Sequence, residues 1–150
     1  MKLTSQLHIL LVEDNRADAW LVRETLRKSV PSYQLSVVED GDQALTFLRQ
    51  EGTYTAVPRP DLLLLDLNLP KVDGREVLRT LRATPEWETL PVMVLTGSLQ
   101  DVDHHEAATL GVARCLQKPV HLKDYRALGE DIATWWQWRE LVPIRGEGNE

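Results

Sequence analysis

The sequence is short of cysteine, of basic charge and of long apolar runs, and each shortage excludes something. With a single cysteine, Cys115, among 150 residues, the chain can close no internal disulfide and build no thiolate metal cage, so a packed core must hold it together. Lys and Arg number 17 against 23 Asp and Glu, a formal charge of -6, and the basic residues are scattered. A phosphate backbone would be repelled, which argues against nucleic acid as a partner. No run approaches the roughly 18 uninterrupted apolar residues of a membrane span, and Met1 to Leu10 lacks the apolar centre of a signal peptide. No membrane association is expected, and the protein is read as cytoplasmic. A length of 150 residues with 43% hydrophobic and 27% charged suits one globular domain and leaves no room for a second.

What is present is an alternation. Leu7 to Val12 (LHILLV) is a short apolar run followed by Glu13-Asp14-Asn15 and then by Leu21, Val22, Thr25 and Leu26 at helical spacing. Leu35 to Val38 predicts a second, weaker strand, and Asp40-Gly41 leads into a helix with Ala44, Leu45 and Leu48 on one face. Gly52 to Pro60 holds two prolines and no apolar period, so it reads as an extended surface connection before the strongest run, Leu62 to Leu65, which stops at Asp66. Pro70 and Gly74 bracket a turn, Val77, Leu78 and Leu81 mark a third helix that ends before Pro85, and Pro91 opens a fourth strand, Val92 to Leu95. Thr96-Gly97-Ser98, a weak helix from about Leu99 to Leu110, a fifth strand from Val112 to Leu116 and a last helix after Pro119 complete the series. Such regular alternation predicts an α/β fold, a parallel sheet covered by helices on both faces. The apolar runs without polar alternation are what strands buried on both faces require.

In an open parallel sheet, functional groups gather at the carboxyl ends of the strands, beside the point where strand order reverses. The residues in those positions are Glu13 and Asp14, Asp66, Thr96 and Lys118. Three carboxylates brought together repel one another, and a hard divalent cation, Mg²⁺ or Mn²⁺, is the simplest relief. That cation makes phosphate chemistry feasible, because a phosphoryl group in flight needs its charge neutralised by positioned cations and donors. Mg²⁺, Lys118 and Thr96 meet that need. Asp66 ends the most apolar strand and is the expected nucleophile, with Glu13 and Asp14 holding the metal.

The set of Glu13-Asp14, the stretch LLLLDLNLPKVDG ending at Gly74, LTG with Thr96, and Lys118-Pro119 resembles the receiver domain of two-component response regulators over about residues 7 to 138. That resemblance implies a flavodoxin-like, doubly wound sheet of five parallel strands in the order 2-1-3-4-5. It implies Asp66 as phospho-acceptor and Glu13, Asp14 and Asp66 as metal ligands with the backbone carbonyl of Asn68. It further implies Thr96 and Lys118, with Gly97, as phosphoryl-binding and switch residues, and a cis peptide between Lys118 and Pro119. More narrowly, the long Gly52 to Pro60 connection, the Glu13-Asp14-Asn15 start, the DGREVL helix and the tryptophan-rich end are similar to single-domain regulators that serve phytochrome-type histidine kinases. Two departures stand out. The aromatic residue that receivers often carry three positions before the lysine is Cys115 here, so a signal must leave by a route other than a rotating ring. The first acid is Glu13, longer than the commoner aspartate, which suggests a metal contact through a water.

Each residue also has a plainer reading. Asp14 alone is a helix N-cap, Asp66 alone a turn cap, Thr96 alone a strand-end hydroxyl bonding its own backbone, and Lys118 alone a solvated surface lysine. Their combination favours function. His104 and His105 are adjacent on one helix and point apart, so no ligand role is assigned. Cys115 reads as a small buried hydrophobe and His8 as structural. In the last helix, Leu122, Tyr125, Leu128, Ile132 and Trp135 suffice to cover the sheet, leaving Trp136, Trp138, Leu141 and Val142 as an expected self-association surface, most simply of a homodimer. Residues 1–142 are taken as the domain and 143–150 as a polar tail.

The expected function is a single-domain receiver, not an enzyme in its own right, that takes a phosphoryl group from a histidine kinase and signals by association. An aspartate-nucleophile phosphatase of the haloacid dehalogenase kind is disfavoured, because such enzymes place a second Asp two residues after the nucleophile and Asn68 stands there. A receiver-fold interaction module that is never phosphorylated is the other alternative. A flavodoxin is disfavoured by the acidic loop after the first strand, which would repel a flavin phosphate.

Overall fold

In the computed structural model, which describes residues 6–141, the chain forms a five-stranded parallel sheet in the order β2-β1-β3-β4-β5. The strands are β1 (Leu7–Val12), β2 (Tyr33–Val38), β3 (Leu62–Asp66), β4 (Val92–Thr96) and β5 (Arg114–Gln117). They alternate with α1 (Arg16–Ser29), α2 (Gly41–Leu48), α3 (Gly74–Arg82), α4 (His104–Thr109) and α5 (Tyr125–Leu141). This is the flavodoxin-like doubly wound arrangement expected of the sequence. None of the described helices is long and apolar enough to cross a membrane.

The central strands are apolar throughout because both of their faces are covered. In β3, Leu63 and Leu65 point to one core with Leu10, Val12, Val92 and Val94, against α2, α3 and α4. Leu62 and Leu64 point to the other with Leu7, Ile9, Leu11, Met93 and Leu95, against α1 and α5. Period-two alternation thus sorts consecutive leucines into two separate cores, each fully buried leucine contributing roughly 1.5–3 kcal/mol.

Side chains that begin the helices also shape the loops above the sheet. Asn15 accepts the Asp18 N–H at 2.9 Å to start α1, Asp40 accepts that of Gln43 at 2.8 Å to start α2, and Asp73 accepts that of Arg75 at 2.8 Å to start α3. Gly74 has to be glycine: a Cβ there would run into the carbonyl of Asp66 and stand 2.7 Å from Leu67 Cα. The loop leaving β3 therefore folds back tightly onto the strand end.

Several elements depart from the sequence expectation. The fourth helix is broken: a single 3-10 turn, Leu99–Asp101, precedes a short α4, because Val102 takes an extended conformation to reach the core and Asp103 caps a new start. The Gly52 to Pro60 connection contains a 3-10 turn, Gly52–Tyr54, and sends Tyr54 and Val57 onto the core, with the Tyr54 ring centred 5.0 Å from that of Phe47 and tilted 50° to it. Cys115 is half-buried because β5 is an edge strand, and burial pushes its thiol up.

Trp136 is not surplus. It packs with Trp135 against the core beneath α1 and α5, the two rings 6.1 Å apart, because α5 extends far enough along α1 to cover it. Trp138 is 62% exposed. The side chain of Leu141 and the whole of Val142 lie outside the described residues, as does the tail 143–150.

Candidate functional site

Strand order reverses at β1, whose neighbours are β2 on one side and β3 on the other, and the carboxyl ends of β1 and β3 open there into one acidic cleft. Glu13 follows β1 directly, its N–H still donating to Val38 O at 2.9 Å as though the ladder continued. That register turns its side chain inward, where it is fully buried. Asp14 follows and is exposed. Asp66 ends β3 and is only 4% exposed, since the strand beneath it is buried on both sides. Carboxylate oxygens of Glu13, Asp14 and Asp66 lie within 4.8 Å of one another.

The backbone shapes this cleft further. Asn68 N–H donates to Asp66 Oδ1 at 2.9 Å, and Asn15 N–H donates to Glu13 Oε2 at 3.1 Å, so each buried carboxylate has one oxygen fixed by the loop that follows its strand. The other oxygen in each case faces Lys118. Its Nζ stands 2.7 Å from Glu13 Oε1 and 3.0 Å from Asp66 Oδ2, and a third carboxylate, Asp18 on α1, lies at 3.1 Å. Lys118 reaches the cleft because its N–H extends the β5 ladder, donating to Thr96 O at 2.7 Å. The cis bond expected before Pro119 is absent: the Lys118–Pro119 peptide is trans, as are all those described. With the Lys118 N–H already anchored, the flexible side chain spans to Asp66 without it, and trans is the ordinary form of an X-Pro bond.

Burial pushes the Glu13 carboxyl up to about 7; the hydrogen bond from Lys118 pulls it down and the charge of Asp66 adds to the rise. Burial also lowers the Lys118 ammonium, but its hydrogen bonds with Glu13 and Asp66 outweigh that and hold it above the ordinary lysine range. One ammonium thus does not satisfy the acids around it, and the cleft favours further positive charge. An all-oxygen, carboxylate-rich set of donors suits a hard divalent cation such as Mg²⁺ or Mn²⁺ far better than a soft one.

Comparison with known proteins agrees with this geometry. Residues 9–128 match the response regulator receiver domain. The chain belongs to that family. This receiver is 44% identical over 135 residues to the response regulator Rcp1 of Synechocystis, an alignment covering 90% of this chain and 92% of Rcp1. Among solved structures it is similar to the phosphorylated cyanobacterial phytochrome response regulator RcpA, with a TM-score of 0.81 and 40% identity over 89% of this chain and 95% of RcpA. It is also similar to the Mn²⁺-bound form of Rcp1, with a TM-score of 0.79 and 42% identity over 93% of this chain and 97% of that one.

The receiver's cleft brings together four of the residues singled out from sequence, Glu13, Asp14, Asp66 and Lys118. Asn68 lies beside them through its N–H, its side chain exposed. Thr96 is buried at the end of β4, but its hydroxyl donates to Ser98 O at 3.1 Å and accepts the Ser98 N–H at 3.2 Å, so it is tied to its own loop. Gly97 stands in open space, where a Cβ would meet nothing within 4 Å. Sequence reasoning passed over Asp18. In sequence it is a common first-turn acid, three residues beyond the Asn15 cap and favourable to the helix dipole, and only its distance to Lys118 distinguishes it.

Proposed function

We propose that this receiver is a single-domain response regulator that accepts a phosphoryl group from a histidine kinase on Asp66, in a reaction dependent on Mg²⁺ or Mn²⁺, and later loses it by hydrolysis. The observation that carries this reading is the Asp66 carboxylate itself, buried at the end of β3, fixed by one loop N–H, and faced by Lys118 and by the carboxylates of Glu13 and Asp14. A carboxylate oxygen of Asp66 attacks phosphorus, the new O–P bond forming as the P–N bond to the donor histidine breaks. The electron pair stays with the imidazole nitrogen, which takes a proton. Lys118 offers its N–H groups to the phosphoryl oxygens, and the loop N–H of Asn68 holds the attacking carboxylate in line. A cation held by Glu13, Asp14 and Asp66, with the Asn68 carbonyl, supplies charge neutralisation at the transferred group. Hydrolysis restores the carboxylate when water attacks phosphorus and the acyl phosphate O–P bond breaks. Beyond this self-directed chemistry we assign no enzymatic turnover, and we place the protein in the cytoplasm with its kinase.

The likeness to RcpA, a phytochrome response regulator, supports a phytochrome-type kinase as the donor. The exposed Trp138 end of α5 supports signalling by association, with a homodimer as the simplest form. Intact mass after incubation with acetyl phosphate and Mg²⁺ tests the central claim. A single phosphoryl adduct is expected, lost in Asp66→Asn and lost with chelator. If neither acetyl phosphate nor a phytochrome kinase produced an adduct, the chain would be an interaction module instead. Faster phosphorylation by a phytochrome kinase than by unrelated kinases tests the choice of donor.

A further inference from the structure

Lys118 has a partner that phosphoryl transfer does not require. Its ammonium carries three N–H groups and meets three carboxylates, those of Glu13, Asp66 and Asp18, at 2.7, 3.0 and 3.1 Å. Glu13 and Asp66 belong to the acidic cluster with Asp14, and Asp18 does not. It projects from the first turn of α1, where the Asn15 cap at 2.9 Å fixes its backbone, and it is 28% exposed at the side chain. Tyr125, the first residue of α5, has its phenol raised chiefly by burial and further by the Asp18 charge. The Asn15 cap therefore fixes the Asp18 backbone while its carboxylate lies on the lysine.

We propose that Asp18 is a positioning residue for Lys118, keeping the ammonium over Asp66 once Glu13 and Asp66 are engaged by a divalent cation. This rests on the phospho-acceptor reading of the same cleft. The argument is one of charge. Without a cation, Lys118 faces two carboxylates of the cluster, Glu13 and Asp66, and needs no further anchor. A divalent cation on Glu13, Asp14 and Asp66 offsets two of their three negative charges and stands as a like charge close to the ammonium. Lys118 sits on a flexible four-carbon stem and would then swing toward solvent, leaving the phosphoryl oxygens without their donor. Asp18 is the neighbouring carboxylate outside the cation's ligand set, and it remains free to pair with Lys118.

The test is the amine reactivity of Lys118, measured by peptide mass spectrometry after brief reductive methylation of the whole chain, with and without Mg²⁺. Exposed Lys28 and Lys71 serve as internal controls. In the natural protein Lys118 stays protected in both conditions. In Asp18→Ala it stays protected without Mg²⁺ but reacts about tenfold faster with it, the effect of losing one charge-assisted hydrogen bond. Phosphoryl uptake from acetyl phosphate slows by a similar factor, and Asp18→Glu restores both. Equal exposure of Lys118 with and without Mg²⁺ in Asp18→Ala would mean a merely structural role and overturn the proposal. So would unchanged protection in both conditions, or faster phosphoryl uptake, which would show Asp18 to be a competitor for the lysine. If the Mg²⁺-dependent labelling contrast held while the natural protein took no phosphoryl group from any donor, the phospho-acceptor reading would fail and the role of Asp18 in holding the lysine would stand.

Discussion

Glu13→Gln should stabilise this protein at neutral and alkaline pH when no divalent cation is present, although it removes an ion pair. The Glu13 side chain is fully buried, and its carboxyl is pushed from the ordinary 4.5 up to about 7, chiefly by burial. Between those pH values the folded chain still holds a proton that the unfolded chain has released, so folding stability falls as pH rises across that window. At about 1.4 kcal/mol for each unit of pH, the full loss is roughly 3 kcal/mol above pH 7. Glutamine mimics the protonated side chain, keeps an acceptor for Lys118 and has no charge to desolvate, so its own stability should lack this component. The assay is urea unfolding in chelator, followed by tryptophan fluorescence, at about pH 4.5 and pH 8, with the difference between the two proteins as the measured quantity. That difference should grow by roughly 3 kcal/mol in favour of the glutamine variant at the higher pH, a midpoint displacement of roughly 1–2 M urea. Mg²⁺ added at about one thousand times its dissociation constant should reverse the order, since a bound cation then stabilises by about 4.1 kcal/mol and the variant has lost a ligand. Parallel pH dependence of the two proteins would refute the claim that the Glu13 charge is held at a cost.

Other substitutions probe the same cleft and the end of α5. Cation affinity of the natural protein should climb as pH rises toward about 7 and level off above it, because Glu13 must ionise to bind; titration by fluorescence across that range checks this. Gly74→Ala should destabilise by about 3 kcal/mol and slow phosphoryl uptake, since its methyl meets backbone at Asp66 and Leu67 that cannot yield without moving the phospho-acceptor; unfolding and intact mass measure both. Trp136→Ser should lower stability by about 3 kcal/mol through lost core contact. Trp138→Ser should leave stability within about 0.5 kcal/mol and weaken self-association in sedimentation. An unchanged sedimentation profile for Trp138→Ser would remove that end of α5 as the association surface.

The central strands, their parallel arrangement and the location of the cleft were legible in the sequence for one reason, while the strand order followed only from the resemblance to receivers. Strands covered on both faces must be apolar throughout, so Leu62 to Leu65 and Val92 to Leu95 announce themselves, and the first polar residue after each run necessarily stands at the sheet's edge. Glu13, Asp66 and Thr96 were found by that rule alone. The edge strand β5 was harder to bound, because its residues are half exposed and carry no such pattern.

Tertiary structure decided what depends on contacts between elements far apart in the chain. No local pattern distinguishes Asp18 from any helix-starting acid; its distance of 3.1 Å to Lys118 exists because the residue just after β5 extends its side chain over the strand ends to the start of α1, 100 residues apart. Trp136 is half-buried against the core because α5 extends along α1, a packing that helical spacing within α5 cannot reveal. The trans bond before Pro119 and the turning of the Thr96 hydroxyl onto Ser98 depend on how the loop after β5 and the loop after β4 settle against their neighbours. Burial patterns are written residue by residue along a chain, and so they can be read there. Pairing between side chains is set by the three-dimensional distance between elements, and only the folded molecule contains it.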